Sequence, residues 1–508
     1  MPQPPIETFL MTPAAAAALA AESLGTLTPR EVAREEGAFA VLDQVTRPLM
    51  HSGRLLLETG TGQMLYRPSG SAIRQSGPNR VSFVTDLPEG ELKQALGDLS
   101  PLRRLLPVGM GTTRDITLSF VDSDAKARCR VFIRILTATE GAEVALVAPL
   151  PLRGYDKALA ALHSRILAAG AEALTPSRLL ERLFPGRPRR ELRPTAALGS
   201  GDTAFDAAVA IIAAQLPIVR GSEDGIIADH DSEFLHDYRV ALRKIRSVLS
   251  LFKGALAEGQ TAELKRRFSS LMAPTGRLRD LDVYLLERQT YYGRLPSSLH
   301  RGLDAKFALL ERARTTERAR LVRHLRSAAY DAEVTALSDL FQGRNGLLPG
   351  PRADAPAHDY ASALIWKRYR RIAARAAAIG PQNGDEEIHD LRIECKKLRY
   401  LMEFFGPLFP RDEFRALLRP LKALQDNLGL VNDCAVQQAS LQEFLRGLDH
   451  RDHDRKLDVA QSIGALTAML HRQQVEERAR SLESLASLTG RDIRHRFRSL
   501  FHTGRESV

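Results

Sequence analysis

Cysteine is scarce in this chain of 508 residues, and the few that occur are scattered. The three cysteines, Cys129, Cys395 and Cys434, form no Cys-x-x-Cys pair, and their number is odd. This pattern argues against a disulfide framework and against a zinc site built from thiolates, and it is typical of a reducing compartment. Aromatic residues make up only 6% of the chain. That scarcity disfavours the stacking platforms on which single-stranded nucleic acids are bound.

A long apolar run is also missing from the amino-terminal region. The alanine-rich stretch at residues 14–21 is too short to span a bilayer, and no basic segment precedes it. We therefore expect a cytoplasmic protein without membrane insertion. We predict no cofactor and no metal site, and the sequence gives no indication of the oligomeric state.

Positive charge is what the chain has in excess. Its net charge is +11, with 44% hydrophobic and 26% charged residues. The composition indicates a soluble globular protein long enough for two domains, and the charge favours an anionic partner such as phosphate or nucleic acid.

The first 175 residues are predicted to form a mixed α and β domain. Between Lys126 and Ile135, apolar residues alternate with the cations Lys126, Arg128, Arg130 and Arg134, a period that predicts a strand with one buried and one cationic face. Residues 143–147 predict a further strand and 155–170 a helix. Residues 176–200, rich in proline and arginine, are predicted to be a linker.

From residue 201 to 505 the pattern is helical and contains an internal repeat. The segment from His236 to Arg246 is matched 153 residues later by the segment from His389 to Arg399. The same offset carries residues 276–283 onto residues 429–436, preserving a glycine, an aspartate and a valine. Two separated motifs in one register indicate a duplication, with units at about 201–345 and 355–505.

Each copy places a histidine and cations on one face of a helix. At 100° per residue, the first copy aligns His236, Arg239, Arg243 and Arg246, and the second aligns His389, Arg392, Lys396 and Arg399. We call these two sets the cationic stripes. A separate apolar stripe on each helix is predicted to face the core. These apolar positions are Tyr238, Leu242, Ile245, Leu249 and Phe252 in the first copy, and Leu391, Cys395, Leu398, Met402 and Phe405 in the second.

The stripes predict an anion site, because like charges stacked three and four residues apart destabilise a helix unless an anion neutralises them. A solvated helix face is the alternative reading. Arginine and lysine side chains suit phosphate oxygens. The stripes contain no aromatic residue, which favours inorganic polyphosphate as the partner and makes nucleic acid less consistent.

Further cations lie outside the stripes. Lys367, Arg370 and Arg371 follow Trp366 and are candidate phosphate ligands, while Arg279 and Asn432 occupy matched positions of the second repeated motif. Arg279 and Asn432 could contact the ligand, or their neighbouring aspartates could only orient other cations. The clusters at residues 265–267 and 312–326 are more consistent with solvated faces than with a ligand site. A metal site at the His-Asp pairs is disfavoured, since adjacent helical residues point about 100° apart.

The two H-D-x-R-[VI]-x-x-[RK]-K-[IL]-R motifs and the paired segments T-G-R-L-R-D-L-D-V and L-Q-D-N-L-G-L-V-N-D-C resemble the CHAD family, named for a conserved histidine α-helical domain. The resemblance covers about 201–505. It implies two pseudo-twofold-related four-helix bundles, a basic central groove that binds inorganic polyphosphate, and association with polyphosphate granules. Carried over by motif position, it adds Lys244 and Lys397 to the stripe residues as expected ligands.

Residues 1–175 resemble a degenerate CYTH domain, an antiparallel β-barrel or triphosphate-tunnel fold that often precedes a CHAD domain. Family enzymes begin with an E-x-E-x-K strand, whereas this chain has Ile6-Glu7-Thr8-Phe9-Leu10 with one glutamate and no lysine. The late acidic strand keeps only Glu143. Because a triphosphatase needs several carboxylates to hold metal, we expect a non-enzymatic domain. The alternative is a metal-dependent triphosphate hydrolase that uses Glu7 and Glu143.

Overall fold

The computed structural model of the chain describes residues 7–69, 71–76, 80–186, 196–380, 385–446 and 453–502. It divides into two compact units, Met1–Leu192 and Arg193–Val508.

The first unit is built on one antiparallel sheet of nine strands. The strand order is β5-β4-β3-β2-β6-β7-β8-β1-β9, which confirms the predicted α+β class. In chain order the elements are β1 (Phe9–Met11), α1 (Pro13–Ala21), β2 (Thr28–Asp43), α2 (Pro48–His51), β3 (Leu55–Thr59), β4 (Gly62–Tyr66), β5 (Ala72–Gln75), α3 (Glu91–Ala95), β6 (Leu106–Val121), β7 (Ala127–Ala138), β8 (Glu143–Leu150), α4 (Asp156–Ala168), β9 (Glu172–Ala173) and α5 (Pro176–Leu183).

Strand β7 shows the alternation that the sequence predicts. Cys129, Val131 and Ile133 are buried on one face, where they pack with Leu162 and Ile166 of α4. Branched side chains on the buried face suit a pleated strand, since successive residues point to opposite sides. The helix that the sequence predicts at 155–170 therefore covers the outer face of this strand.

The opposite face of the sheet is concave. Arg74 of β5 lies 5.6 Å from the ring centroid of Phe132 of β7, although four strands separate β5 from β7 in the sheet. At about 4.8 Å per strand, a flat sheet would hold these residues about 24 Å apart. The sheet therefore curls into a half-barrel, with β5 and β9 at its edges.

The first unit extends beyond the predicted boundary at residue 175. Helix α5 lies inside the predicted linker, yet Leu179, Leu183 and Phe184 are buried in the core on the concave side. Phe184 packs over Gly109 of β6, where an added Cβ would come within 2.1 Å of the ring. Burial of these apolar side chains attaches residues 176–184 to the sheet, so any linker begins later. Residues 187–195, the central part of the predicted linker, lie outside the described residues.

The second unit is helical, as predicted. Its helices are α6 (Ala204–Ala228), α7 (Ser232–Leu251), α8 (Glu258–Met272), α9 (Gly276–Leu286), α10 (Arg288–Arg294), α11 (His300–Leu325), α12 (Ala328–Gly343), α13 (Ala357–Ala378), α14 (Asp385–Phe405), α15 (Arg411–Arg446), α16 (His453–Thr489) and α17 (Arg491–Phe501).

The internal repeat persists at the level of whole helices. Helices α6, α7, α8 and α11 begin 153 residues before α13, α14, α15 and α16, respectively. The copies differ where α8 ends and α9 begins, because a short 3-10 turn at Ala273–Thr275 interrupts the first copy. The second copy continues through the matching positions as the single helix α15.

A stacked pair of phenylalanines marks the axis that relates the two copies. Phe252 and Phe405 are repeat equivalents, and their rings stack with centroids 4.6 Å apart and planes inclined by 11°. Both side chains are buried. A residue that contacts its own equivalent must lie at the symmetry axis, so this stack joins the ends of α7 and α14 across a local pseudo-twofold.

Helix α6 is, among the described residues, the one helix with the length and apolar composition of a membrane span. Half of that stretch is buried inside the unit. Its polar residues are held by α12, since Tyr330 donates a hydrogen bond of 2.6 Å to Glu223 and Arg220 lies 3.0 Å from Asp331. In this structure α6 is thus a member of the helical unit.

One lysine is buried in the helical unit without an acid beside it. Lys306 of α11 is 2% exposed, and its Nζ has no hydrogen-bond partner among the described residues. Nζ lies 5.4 Å from the ring centroids of both Tyr284 and Tyr291. Burial lowers the pKa of Lys306 to about 8, because desolvation disfavours the charged form.

Replacing Lys306 with methionine is expected to stabilise the helical unit by about 1–3 kcal/mol at pH 7, after allowance for the favourable contact with the two rings. The folded pKa lies below the unfolded one, so the unfolded chain holds more protons between about pH 8 and pH 10. Wild-type stability should rise through that window and the variant's should not. Denaturant unfolding followed by Trp366 fluorescence measures both, with exposed Lys422→Met as the control. A destabilised variant would show that the aromatic contacts outweigh the cost of burial.

Candidate functional site

The cationic stripes of the two copies come together where α7 packs against α14. Between the helices lies a cavity of about 300 Å³. Arg243 and Lys396, which are repeat equivalents, both line it. The full lining is Arg243, Arg246, Ser247, Ser250, Leu251, Ile393, Lys396, Lys397 and Tyr400. We call this region the axial groove, because it lies beside the Phe252–Phe405 stack.

Both stripe helices are held in place by their apolar faces. All ten side chains predicted to face the core, five on each copy, are buried. Helix α7 also has a defined start, because the Asp231 carboxylate accepts hydrogen bonds of 2.9 and 3.2 Å from the amides of Glu233 and Phe234. The core therefore determines which way the cations point.

Three stripe cations form neither an ion pair nor a side-chain hydrogen bond with a described residue: Arg243, Arg392 and Lys396. The Nε of Arg243 is buried and has no hydrogen-bond partner in the described part of the chain. Burial and then the nearby charges of Arg392 and Arg243 lower the pKa of Lys396 to about 8. Of these three cations, Arg243 and Lys396 line the groove, and the charge of Asp433 partly offsets that of Lys396 without forming an ion pair with it.

Other stripe cations are anchored by neutral groups on the helices behind them. Arg239 donates a hydrogen bond of 2.6 Å to Thr275 Oγ1, and its pKa is lowered by burial and next by Arg243. Arg246 lies 3.3 Å from the sulfur of Met272. Its equivalent Arg399 donates to Gln425 Oε1 at 3.1 Å, and Met272 and Gln425 are themselves repeat equivalents. Neutral partners orient Arg239 and Arg246 without cancelling their charge, whereas Arg399 has a carboxylate partner as well.

Some predicted ligands are partly neutralised. Lys397 lies 3.0 Å from Glu394, and Arg399 lies 2.6 Å from Glu403. Arg279 donates to the Ser232 carbonyl at 3.3 Å and lies 3.7 Å from Glu233. Arg279 therefore serves at least to join α9 to the start of α7. Lys244 is partly buried on α7 and does not line the axial groove.

The two histidines lie one turn before Arg239 and Arg392, at the amino-terminal ends of the stripes. His389 Nδ1 lies 3.1 Å from Asn432 Oδ1, which can only accept the bond. This contact joins the two repeated motifs within the second copy and orients the imidazole. In the first copy, His236 lies on α7 and Arg279 occupies the position that matches Asn432.

Lys367, Arg370 and Arg371 do not reach the axial groove. They lie on α13 and line a separate groove of about 1860 Å³ between α13, α16 and α17. We call it the lateral groove. The sequence-based set of ligands is therefore divided between two places in the fold.

The other basic clusters are largely structural. Arg266 and Arg267 are paired with Glu263 and Glu333, each at 2.7 Å. Arg314 is bonded to both Asp229 and the buried Asp282, also at 2.7 Å. These pairs explain much of the charge at residues 265–267 and 312–326 without a ligand.

Two of the four cations predicted on one face of β7, Arg128 and Arg134, are paired with acids, so that face carries less uncompensated charge than the sequence indicates. Arg134 is 3% exposed and forms a bidentate pair with Asp115, at 2.8 and 2.5 Å. Arg128 donates to Asp122 at 2.6 Å, and Arg130 donates to Ser119 at 3.2 Å. Cross-strand partners on β6 were not visible in the periodicity of β7 alone.

The two acids of the alternative hydrolase lie apart. Phe9 pairs with Val147 and Met11 with Ala145, so Glu7 and Glu143 flank opposite ends of this ladder, about 20 Å from one another at strand spacing. Glu7 lies 3.1 Å from His163, and Glu143 accepts a hydrogen bond of 2.9 Å from Thr137. Each carboxylate thus has a local partner.

The fold and the facing stripes define a duplicated all-helical domain with its cations gathered at the axis between the copies. Residues 210–442 match the family model of the CHAD domain. The helical unit of this chain therefore contains a CHAD domain, as the motifs indicated. The matched range includes both stripes and both copies of the second motif.

Two solved structures are similar to the chain at a distance. The CHAD domain from the plant Ricinus communis is 25% identical, covers 58% of this chain and 95% of its own, and superposes with a TM-score of 0.48. PptA from Streptomyces chartreusis is 17% identical, covers 56% of this chain and 100% of its own, with a TM-score of 0.41. No curated protein matches the chain.

Neutralising two of the crowded cations should stabilise the fold. We expect Arg243→Met/Lys396→Met to raise the free energy of unfolding by about 1–2 kcal/mol at pH 7, because it removes repulsion and desolvation while keeping the aliphatic packing, discounted for partial solvent screening. Denaturant unfolding at low and high salt measures it, and the gain should shrink as salt rises. Arg415→Met/Lys422→Met, at exposed positions of α15, is the control. A loss of stability would mean that these cations support the core.

Proposed function

We propose that the helical unit binds inorganic polyphosphate in the axial groove. The observation that supports this best is the pair of repeat-equivalent cations Arg243 and Lys396, which line the groove without an ion pair to a described acid and are held beside the pseudo-twofold axis by two buried helix faces. Arg392, also without an ion pair in the described part of the chain, lies one turn before Lys396 on α14. A polyanion supplies the negative charge that the groove lacks. The stripes bring no aromatic side chain to stack on a base, and the tyrosine that lines the groove, Tyr400, is already stacked on Phe404. A chain of phosphates without bases therefore suits the groove best.

Each class of stripe residue has a distinct role in this proposal. Arg243 and Arg392 present planar guanidinium groups that bond two phosphate oxygens at once, and Lys396 supplies a point charge near the axis. Arg239, Arg246 and Arg399 extend the positive surface along the two helices. Because the copies are related by a pseudo-twofold, a chain crossing the axis meets equivalent cations on both sides.

We propose that the chain acts by binding rather than by catalysis, and that it associates with polyphosphate granules in the cytoplasm. Binding through charge should depend on salt through counterion release and should strengthen with polymer length. The half-barrel unit is not required for the axial groove, whose residues all belong to the helical unit.

The binding test uses the full-length chain and Arg243→Met/Lys396→Met, the variant expected to be more stable than wild type. We expect its affinity for long-chain polyphosphate at physiological salt to fall by about tenfold or more, since each lost charge-assisted contact contributes about 1.5–3 kcal/mol before screening. The slope of log affinity against log salt should decrease by about one to two. Calorimetry or fluorescence anisotropy measures both quantities.

The matched control is Arg312→Gln/Arg320→Gln, which removes two exposed cations of α11 that line neither groove. Its affinity should remain close to wild type. Single-stranded DNA of equal charge should compete poorly. Unchanged binding by the groove variant, or equal loss in the control, would reduce the stripes to a nonspecific basic surface.

Binding should also depend on pH through Lys396. Its pKa is about 8 in the free protein, and a phosphate chain beside it would raise that pKa, so binding takes up a proton above pH 8. Affinity should fall by about twofold from pH 7 to 8 and several-fold further by about pH 9.5, within the limit of tenfold per unit for one proton. Lys396→Arg should remove this part of the dependence while retaining binding. An identical pH profile in that variant would exclude Lys396 as the titrating group.

A further inference from the structure

The lateral groove has its own chemistry. It is formed by α13, α16 and α17 and includes six exposed cations, from two of these helices. Its basic residues on these helices are Lys367, Arg370 and Arg371 of α13 and Arg491, Arg494 and Arg498 of α17, with His495 and His502 beside them and Arg352 before α13. No acidic residue lines it.

These six cations have no ion-pair partner among the described residues. Other cations of α13 do have acidic partners. Arg368, in the middle of the same basic run, turns towards α14 and pairs with the buried Glu394. Arg375 pairs with Asp390, at 3.0 Å. The helix thus neutralises the cations on its inner side and leaves those at the groove uncompensated.

The lateral groove belongs to the second copy alone. The first-copy equivalents of Lys367, Arg370 and Arg371 are Ala214, Pro217 and Ile218 on α6. Helices α16 and α17, which complete the groove, also lie beyond residue 442, where the match to the family model ends. The groove is therefore separate from the duplicated site and is not explained by the repeat.

The floor of the groove is rigid. Tyr369 stacks on Phe497 with centroids 3.9 Å apart, and Trp366 stacks on Tyr369 at 5.9 Å. The Tyr369 hydroxyl donates to the Leu488 carbonyl at 3.2 Å. This buried aromatic contact fixes α17 against α13, so the two rows of cations stay apposed without a ligand.

We propose that the lateral groove is a second binding site for an inorganic polyphosphate chain, independent of the axial groove. The inference rests on the proposed function and extends it, since one molecule would hold a polymer at two places. Positions 491, 494 and 498 follow one face of α17 over about 10 Å, which suits a short run of phosphates. Two linked sites raise the affinity for long polymers through effective concentration.

Polyphosphate is favoured over nucleic acid by the composition of the lining. Trp366 is partly buried, and its ring is already stacked on Tyr369 and lies 5.6 Å from the His502 ring. A stacking site for successive bases would need several free aromatic faces, whereas the remaining floor consists mainly of alanine. Charge on both walls with a small-residue floor suits a narrow chain of phosphates.

The test measures how many short, size-defined polyphosphate chains bind to the full-length protein, by calorimetry at moderate salt. Wild type should bind two. A lateral variant, Arg370→Gln/Arg494→Gln/Arg498→Gln, should bind one, and all three positions are exposed, so the fold should tolerate it. The axial variant Arg243→Met/Lys396→Met should also bind one. For long chains, the lateral variant should lose about tenfold or more in affinity.

The fluorescence of Trp366 shows which groove still binds polyphosphate in each variant, because Trp366 is the single tryptophan of the chain and lines the lateral groove. Its emission should change when the axial variant binds short polyphosphate, and should not change when the lateral variant does. Arg312→Gln/Arg320→Gln, followed in parallel, should keep two binding events.

The outcomes separate the two proposals. Two binding events in the lateral variant would overturn the second site. Loss of one event in the lateral variant but none in the axial variant would support the lateral groove and reject the axial one. Displacement of polyphosphate from the lateral groove by single-stranded DNA at equal charge, with the axial event unaffected, would overturn the assignment and make this groove a nucleic-acid site.

Discussion

The organisation of the helical unit depends on the repulsion between the cations of its two stripe helices, which few acids compensate. Two copies of one helix meet at a pseudo-twofold axis, and each brings its cations to the same place. The stack of Phe252 on Phe405 and the buried apolar faces of α7 and α14 hold them there. Core burial, at about 25 cal/mol per Å² of apolar surface, supplies the free energy that opposes this repulsion. The groove is thus prepared for an anion before one arrives, so little ordering remains to be done on binding.

The repulsion between the stripe cations also explains which residues surround them. Behind the stripes, Thr275 and Met272 orient Arg239 and Arg246 through neutral atoms. Acids are used where charge must be cancelled, as in Arg314 with Asp229 and Asp282, or Arg134 with Asp115. A cation with a neutral anchor keeps its field, whereas one with a carboxylate partner becomes part of the scaffold. The distinction separates binding surface from structural ion pairs more reliably than the density of basic residues does.

Duplication and divergence can be followed in the two grooves. The axial groove draws equivalent positions from both copies, including Arg243 and Lys396. The lateral groove uses α13, whose counterpart α6 carries alanine, proline and isoleucine at the corresponding positions. One basic surface follows from the symmetry of the repeat, and the other arises where that symmetry is broken. The half-barrel unit differs from the helical unit in how its buried arginine is used. Arg134 is paired with Asp115, and the concave side of the sheet packs against α5.

Local patterns in the sequence determined most of the secondary structure and the repeat. Three patterns depend only on residues near one another or in register along the chain: the period of two in β7, the helical period after residue 201 and the repeat offset of 153 residues. The same is true of the prediction that α7 and α14 present cations on one face and apolar residues on the other.

Tertiary structure alone decided which cations remain without an acidic partner and which of them share a groove. Arg134 and Arg267 are paired with acids from other elements. Helix α5 packs on the sheet, although the sequence predicts a linker there. The three cations of α13 lie away from the axis and line the lateral groove together with those of α17, namely Lys367, Arg370 and Arg371 with Arg491, Arg494 and Arg498. The arginines of α17 recur every three to four residues and could have been noticed, but their partner surface could not. Periodicity reports which way a side chain points from its own helix, whereas neutralisation and the sharing of a groove depend on residues that only the fold brings near.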